Sequence, residues 1–237
     1  MLLSRHTDAT AFKPSPPGTT VVSLTLTYED GTVRLQGAVP DGLSGVESDP
    51  RSKSSRAPAY RYADLCRALD ERGTEYTDRV LALPEVSLST TYDLREYQRT
   101  ALQAWRDADE RGCLELPTGS GKTVIGIVAM VALETPTLVV VPTIDLLEQW
   151  QRELDREFDV PIGRLGGGEQ RLEHVTVATY DSAYLRADEI GDRFGLVVFD
   201  EVHHLGGEGY RDIARLLAAP ARLGLTATFE RPRPDWG

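Results

Sequence analysis

Lysine is almost missing from this 237-residue sequence. Lys13, Lys53 and Lys122 are its only lysines among 26 Lys+Arg, and from residue 54 onward every fixed positive charge except Lys122 is arginine. Cysteine is as scarce. Cys66 and Cys113 lie far apart in no CxxC spacing, which argues against a disulfide framework, structural zinc or an iron–sulfur cluster. No apolar run approaches the ~20 residues that cross a bilayer, and Met1 to Gly18 holds no apolar leader core. A cytoplasmic protein without a membrane partner is expected. Internal repeats and low-complexity tracts are absent too.

A positive balance is also lacking: 37 Asp+Glu give a net charge of −11. Nucleic-acid binders are usually basic, so the total argues against DNA or RNA at first sight. Two other origins fit an acidic, arginine-retaining composition. One is adaptation to high intracellular salt, where carboxylates keep the surface hydrated and their repulsion is screened. The other is a GC-rich genome. In either case net charge says little about a binding face. Hydrophobic residues make up 41% of the chain, ordinary for one large globular domain or two modest ones.

The pattern divides near residue 90. Thr19–Tyr28 alternates and is rich in β-branched residues, Asp30-Gly31 supplies a turn, and Thr32–Gln36 returns, which predicts a hairpin. Residues 40–58 read as a loop. Tyr60–Arg72 puts Tyr62, Leu65, Cys66 and Leu69 on one helical face and stops at Gly73. Val80–Leu88, with Pro84 inside it, reads as an edge strand. Residues 1–90 thus form a small α+β module with no sign of catalysis.

In the second region Asp93 and Glu96 make a capping box for a helix running to about Arg111. Apolar strands follow at Cys113–Leu116, Thr137–Val141, Val175–Ala178, Leu196–Phe199 and Arg222–Leu225. Helices at Lys122–Leu133, Ile144–Phe158, Asp181–Leu185 and Gly209–Leu217 separate them. Strands that are apolar throughout and alternate with helices predict an α/β fold with a parallel sheet covered on both faces. Ligands of such sheets bind at the carboxyl ends of the strands.

The distinctive residues fall at those ends. Leu116-Pro117-Thr118-Gly119-Ser120-Gly121-Lys122-Thr123 joins a strand to a helix. Its glycines let backbone N–H groups face phosphate oxygens, the Lys122 ammonium neutralises phosphate charge, and Thr123 Oγ suits Mg²⁺. Leu116 stands where the strict phosphate-loop pattern has glycine. Asp200-Glu201 ends an apolar strand, where one acid can hold a Mg²⁺ shell and the other can orient or deprotonate water. His203 and His204 are adjacent on a short helix, where side chains point apart, so a shared metal is not expected. His203 is expected to bridge the nucleotide site to another element.

Set in order, Leu94-Arg95-Glu96-Tyr97-Gln98, the phosphate loop, Val139–Thr143, Leu165–Gly168, Val177–Tyr180, Asp200–His203 and Thr226-Ala227-Thr228 resemble the first RecA-like motor domain of superfamily 2 helicases. The closest likeness is to XPB-type DNA repair and transcription helicases, especially archaeal ones. It is strong over residues 92–230 and looser over 1–90, which would correspond to that family's damage-recognition module. The resemblance implies ATP and Mg²⁺ as cofactors and DNA as partner. By it, Arg95, Tyr97 and Gln98 would read adenine; Gly119, Ser120, Gly121, Lys122 and Thr123 would hold phosphates; Thr123 and Asp200 would hold Mg²⁺; and Glu201 would activate water. His203 with Thr226 and Thr228 would couple the ATP site to DNA. Pro142, Thr143, Gly166, Gly167 and Thr179 would touch a single-stranded backbone without reading sequence.

Two departures stand out. The family's Arg-Glu-Asp element is replaced by Phe229–Asp235 with Pro232 in the place of Glu. The 237 residues also reach only just past the last first-motor motif, whereas the family has a second motor domain whose arginines serve the γ-phosphate, worth ~10³–10⁵ in rate. Weak binding of ATP·Mg²⁺ and DNA is therefore expected, with poor turnover unless a second motor domain is supplied in trans. The motor of a restriction endonuclease with a nuclease partner, and a catalytically silent DNA- or partner-binding module, are the competing expectations.

Overall fold

The computed structural model describes residues 23–50, 52–207 and 209–227. The start of the first predicted strand (Thr19–Val22), Thr228 and the Phe229–Asp235 segment lie outside them.

The expected hairpin forms from β1 (Leu24–Glu29) and β2 (Thr32–Gln36). Asp30 and Gly31 both have left-handed φ, 49° and 77°, as a tight two-residue hairpin turn requires. The stretch expected to be a loop, 40–58, instead yields β3 (Glu47–Asp49) and β4 (Ser54–Pro58). β4 pairs antiparallel with β2 and buries Ser54 and Ala57. An available sheet edge overrides the weak strand propensity of Ser, Arg and Pro. Helix α1 (Tyr62–Glu71) buries Leu65 and Leu69 on the predicted face. Val80–Leu88 forms no strand. The polar segment just before it, β5 (Tyr76–Arg79), pairs parallel with β1. Val86 donates its N–H to Glu134 O at 2.9 Å, and Val86 and Leu88 anchor in the core of the larger unit. Their apolarity serves attachment rather than pairing.

The larger unit runs α2 (Glu96–Asp107), β6 (Arg111–Glu115), α3 (Lys122–Leu133), β7 (Thr137–Val141), α4 (Ile144–Glu157), β8 (Ile162–Gly166), β9 (Glu169–Arg171), β10 (Val175–Thr179), α5 (Tyr180–Ile190), β11 (Leu196–Asp200), α6 (Tyr210–Leu216) and β12 (Ala221–Thr226). Strand order is β6-β12-β11-β7-β10-β8-β9. Every pairing is parallel except the β8–β9 hairpin. This is the expected parallel α/β architecture. Every residue of β7, β10 and β11 is buried. Along β7, Val139 and Val141 join Trp150 and Ile125 on one face, while Leu138 and Val140 join Tyr180 and Ile213 on the other, the period-two alternation of a sheet covered on both sides.

Three local expectations are corrected. α2 starts after Arg95 rather than at Asp93 and ends at Asp107 rather than near Arg111. Gln98 Oε1 accepts the Arg95 N–H at 2.8 Å, while Asp93 pairs with Arg99 at 3.2 Å. β8 and β9 had no counterpart in the predicted strands. Glycines dilute the β8 signal, yet Gly163 lets the backbone close on Glu173 and Thr176 where a Cβ would collide. α5 continues to Ile190, well past the predicted Leu185. Among the described residues no helix is long and apolar enough to cross a membrane.

Tyr28 joins the two units. Its hydroxyl lies 2.9 Å from Asp188 O and 3.0 Å from Leu216 O, and burial raises its pKa. Ala218 inserts into the small unit's core. The turn carrying it is held by the Arg222 guanidinium, which donates to Ala214 O at 2.6 Å and Ala219 O at 3.2 Å. Burial, and then the neighbouring Arg111, pushes the Arg222 pKa down to about 10. Gly191 leaves the room this junction needs, since a Cβ there would collide with the Tyr28 hydroxyl and Leu216 O. Gly191→Ala is expected to lower stability by about 1–3 kcal/mol, as overpacking does, measured as a lower urea midpoint. An unchanged midpoint would show the junction to be loose.

Candidate functional site

In a parallel sheet all carboxyl ends face one way, so the loops after β6, β11 and β12 meet. The loop after β6 turns on Gly119 and Gly121, whose φ values are 75° and 78°. Leu116, the departure from the strict pattern, still belongs to the sheet edge: its N–H donates to Thr226 O at 2.9 Å. Lys122 opens α3 and is largely buried. Its Nζ lies 3.9 Å from Glu201 Oε1 and 3.5 Å from Leu116 O. Ser120 Oγ is buried with no hydrogen-bond partner among the described residues. At Gly119 the space a side chain would take is empty out to 4 Å.

Asp200, 6% exposed, ends β11. Its Oδ2 accepts the Trp150 indole N–H at 2.7 Å and its Oδ1 accepts the Glu201 N–H at 2.9 Å. Burial raises its pKa, and these two donors oppose the rise. The hydroxyl of Tyr180 donates to Asp200 O at 3.2 Å. Glu201 has a left-handed φ of 48°, a conformation that costs a non-glycine residue energy and that recurs at functional sites. It aims the Glu201 carboxylate back toward Lys122. His203 Nδ1 sits 3.1 Å from Thr226 Oγ1 and 3.5 Å from Glu201 Oε2, which joins the ends of β11 and β12. The expectation that the two histidines point apart is wrong, because their ring centroids lie 4.4 Å apart on a tight turn. No cluster of three or more metal-ligating side chains occurs among the described residues.

Arg95 and Gln98 stand beside the loop and line a cavity of ≈ 180 Å³ with Gly119, Ser120 and Gly121. Gln98 is engaged at both ends, since Oε1 holds the α2 start and Nε2 donates to Ser120 O at 2.8 Å. Tyr97 also donates to Ser120 O, at 2.6 Å. Tyr97 and Gln98 therefore grip the loop directly, while the Arg95 guanidinium reaches the Tyr97 hydroxyl, at 3.4 Å.

Pro142, Thr143, Gly166, Gly167 and Thr179 come together at the ends of β7, β8 and β10. A Cβ on Gly166 would stand 3.0 Å from Thr179 Cγ2. Both hydroxyls cap helices: Thr143 Oγ1 accepts the Leu146 N–H at 3.3 Å and Thr179 Oγ1 the Ser182 N–H at 3.2 Å. Backbone N–H groups at the starts of α4 and α5 are thus the donors this face offers an anion. Trp150 and Tyr180, which grip Asp200, were not foreseen. A signal for Trp150 exists: it shares an apolar stripe with Leu147 and Leu154, and a buried indole N–H needs an acceptor.

Residues 91–231, more than half of the chain, match the family described as type III restriction enzyme, res subunit, and belong to it. Residues 26–80 match the xeroderma pigmentosum group B helicase damage recognition domain. A protein of Sulfurisphaera tokodaii named DNA 3'-5' translocase XPB2 is 44% identical over 207 residues, 87% of this chain. The chain belongs to the XPB-like helicases. A Mycobacterium tuberculosis protein named DNA 3'-5' helicase XPB is 36% identical over 151 residues, 59% of this chain. This XPB-like chain spans 46% and 27% of these relatives' lengths. Among solved structures, the UvsW helicase of bacteriophage T4 superposes with TM-score 0.50 at 18% identity, covering 87% of this chain and 92% of that one. The SWI2/SNF2 ATPase core of Sulfolobus solfataricus gives TM-score 0.50 at 22% identity, covering 60% and 33%. At these identities the likeness concerns the fold.

The strain at position 201 is testable. Glu201→Ala and Glu201→Gly both remove the carboxylate, but only glycine accepts φ 48° freely. Glu201→Gly is expected to be more stable than Glu201→Ala by about 1 kcal/mol in chemical denaturation. Equal stabilities, or the reverse order, would mean that the left-handed turn is absent in solution.

Proposed function

We propose that this XPB-like chain carries a damage-recognition module and the first of two motor domains of an ATP-dependent DNA translocase. The observation that supports it most is the convergence of Lys122, Asp200 and Glu201 on one strand-end cluster, with Lys122 Nζ 3.9 Å from Glu201 Oε1. Phosphates suit this cradle. Among the described residues Ser120 Oγ is buried and unpartnered, the space at Gly119 is open, and the ammonium of Lys122 makes only long contacts. Arg95, Tyr97 and Gln98 would border the base. Mg²⁺, held by Thr123 and Asp200, would neutralise phosphate charge. Glu201 would orient the attacking water and accept its proton.

DNA would lie across the ends of β7, β8 and β10, gripped by the helix starts behind Thr143 and Thr179 and by the backbone at Gly166 and Gly167. Such dipolar contacts reconcile DNA binding with the acidic balance. His203 and Thr226 would carry the state of the ATP site toward that face, with Thr228 close by in sequence. Arginines from a second motor domain would complete the γ-phosphate site. The cytoplasm would be its compartment.

The test is ATP hydrolysis by the 237-residue chain with single-stranded DNA. Turnover is expected to be slow, to rise by ~10³-fold or more when the second motor domain is added in trans, and to vanish in Glu201→Gln while nucleotide binding survives. Lys122→Ala is expected to lose binding itself. Fast DNA-stimulated turnover by these residues alone would refute the need for a second domain, and undiminished binding by Lys122→Ala would refute the site.

A further inference from the structure

We propose that Trp150 is a positioning residue for the metal-binding acid: its indole N–H, opposite the Glu201 N–H, fixes the orientation in which the Asp200 carboxylate faces the cation. This rests on the ATP·Mg²⁺ reading above. A carboxylate has two oxygens and about four acceptor directions. In Asp200 one direction on each oxygen is committed, Oδ2 to Trp150 Nε1 at 2.7 Å and Oδ1 to the Glu201 N–H at 2.9 Å. The carboxylate can therefore neither rotate nor tilt without breaking a bond inside a buried pocket, where an orphaned donor is costly.

The indole is as fixed as its partner. Trp150 is fully buried and its ring packs against α3 at Gly126, where a Cβ would stand 2.7 Å from the ring edge. Gly126 lies in the middle of a helix, a position where glycine lowers stability. The room it leaves is filled by this ring, so the helix that begins at Lys122 carries a destabilising residue at the place where Trp150 reaches Asp200. α4, which supplies Trp150, follows Pro142-Thr143, and the Tyr180 hydroxyl at the start of α5 holds the Asp200 carbonyl from the other side. Groups that orient a metal ligand from behind typically carry 10–100-fold of metal affinity.

The experiment titrates Mg²⁺ into the 237-residue chain bound to a fluorescent ADP analogue. In wild type, Mg²⁺ is expected to tighten nucleotide binding. In Trp150→Phe, which keeps an aromatic ring and loses the N–H, affinity in EDTA is expected to match wild type while the Mg²⁺ midpoint rises about tenfold or more. A folded Trp150→Phe with an unchanged midpoint overturns the assignment and leaves the functional reading standing. A wild-type chain whose nucleotide binding ignores Mg²⁺, or that binds no nucleotide, overturns both. Should Trp150→Phe fail to fold, the indole N–H resonances of the nucleotide-bound wild type decide. One is expected to shift on adding Mg²⁺ and to lose that response in Asp200→Asn. Indole resonances that all ignore Mg²⁺ overturn the assignment.

Discussion

A carboxylate taken out of water must be met by donors, and the burial of Asp200 is the constraint around which this site is arranged. At the end of a central strand it has almost no access to solvent, and burial alone would favour its neutral form. Two N–H groups oppose that tendency, one from the backbone of Glu201 and one from Trp150. The first requires Glu201 to adopt a left-handed turn. The second requires a tryptophan reaching across from α4 and a glycine in α3 to receive its ring. The acid is thus held in one orientation by a strained residue and a helix-weakening one.

The same arrangement links the two ends of the domain's chemistry. α4 and α5 start at the face proposed for DNA, where Thr143 and Thr179 cap them, and each sends a side chain to Asp200. β12 brings Thr226 to His203. At its other end, Arg222 fastens the turn whose Ala218 enters the small unit, beside Tyr28. The proposed DNA face and the loop after β6 are therefore tied to the same few carboxyl strand ends, and the small unit is fastened at the opposite end of β12, through packed residues and short hydrogen bonds.

The order of buried strands and their separating helices was legible because a parallel sheet demands apolar runs, and Thr137–Val141 and Leu196–Phe199 fall where the pattern put them. Lys122 stood out by composition, and Asp200 and Glu201 by position. Elements specified by partners rather than by pattern were illegible. Ser54–Pro58 becomes a strand only because β2 offers an edge. Ile162–Gly166 is diluted by glycines that its neighbours require, and Val86 and Leu88 spend their apolarity on anchoring. The role of Trp150 depends on which acid lies opposite, 50 residues away, a pairing that only the folded chain creates. Gln98 was legible as a residue of the site, but its grip on Ser120 was not.

The loop after β6 and the acids after β11 are proposed to act on one ligand. Amide hydrogen exchange with and without Mg²⁺ and a non-hydrolysable ATP analogue tests it most directly. Ligand is expected to slow exchange in residues 118–123 and 200–203 together, and omitting Mg²⁺ to remove the protection at 200–203 first. Protection confined to one of the two segments, or to neither, would contradict it.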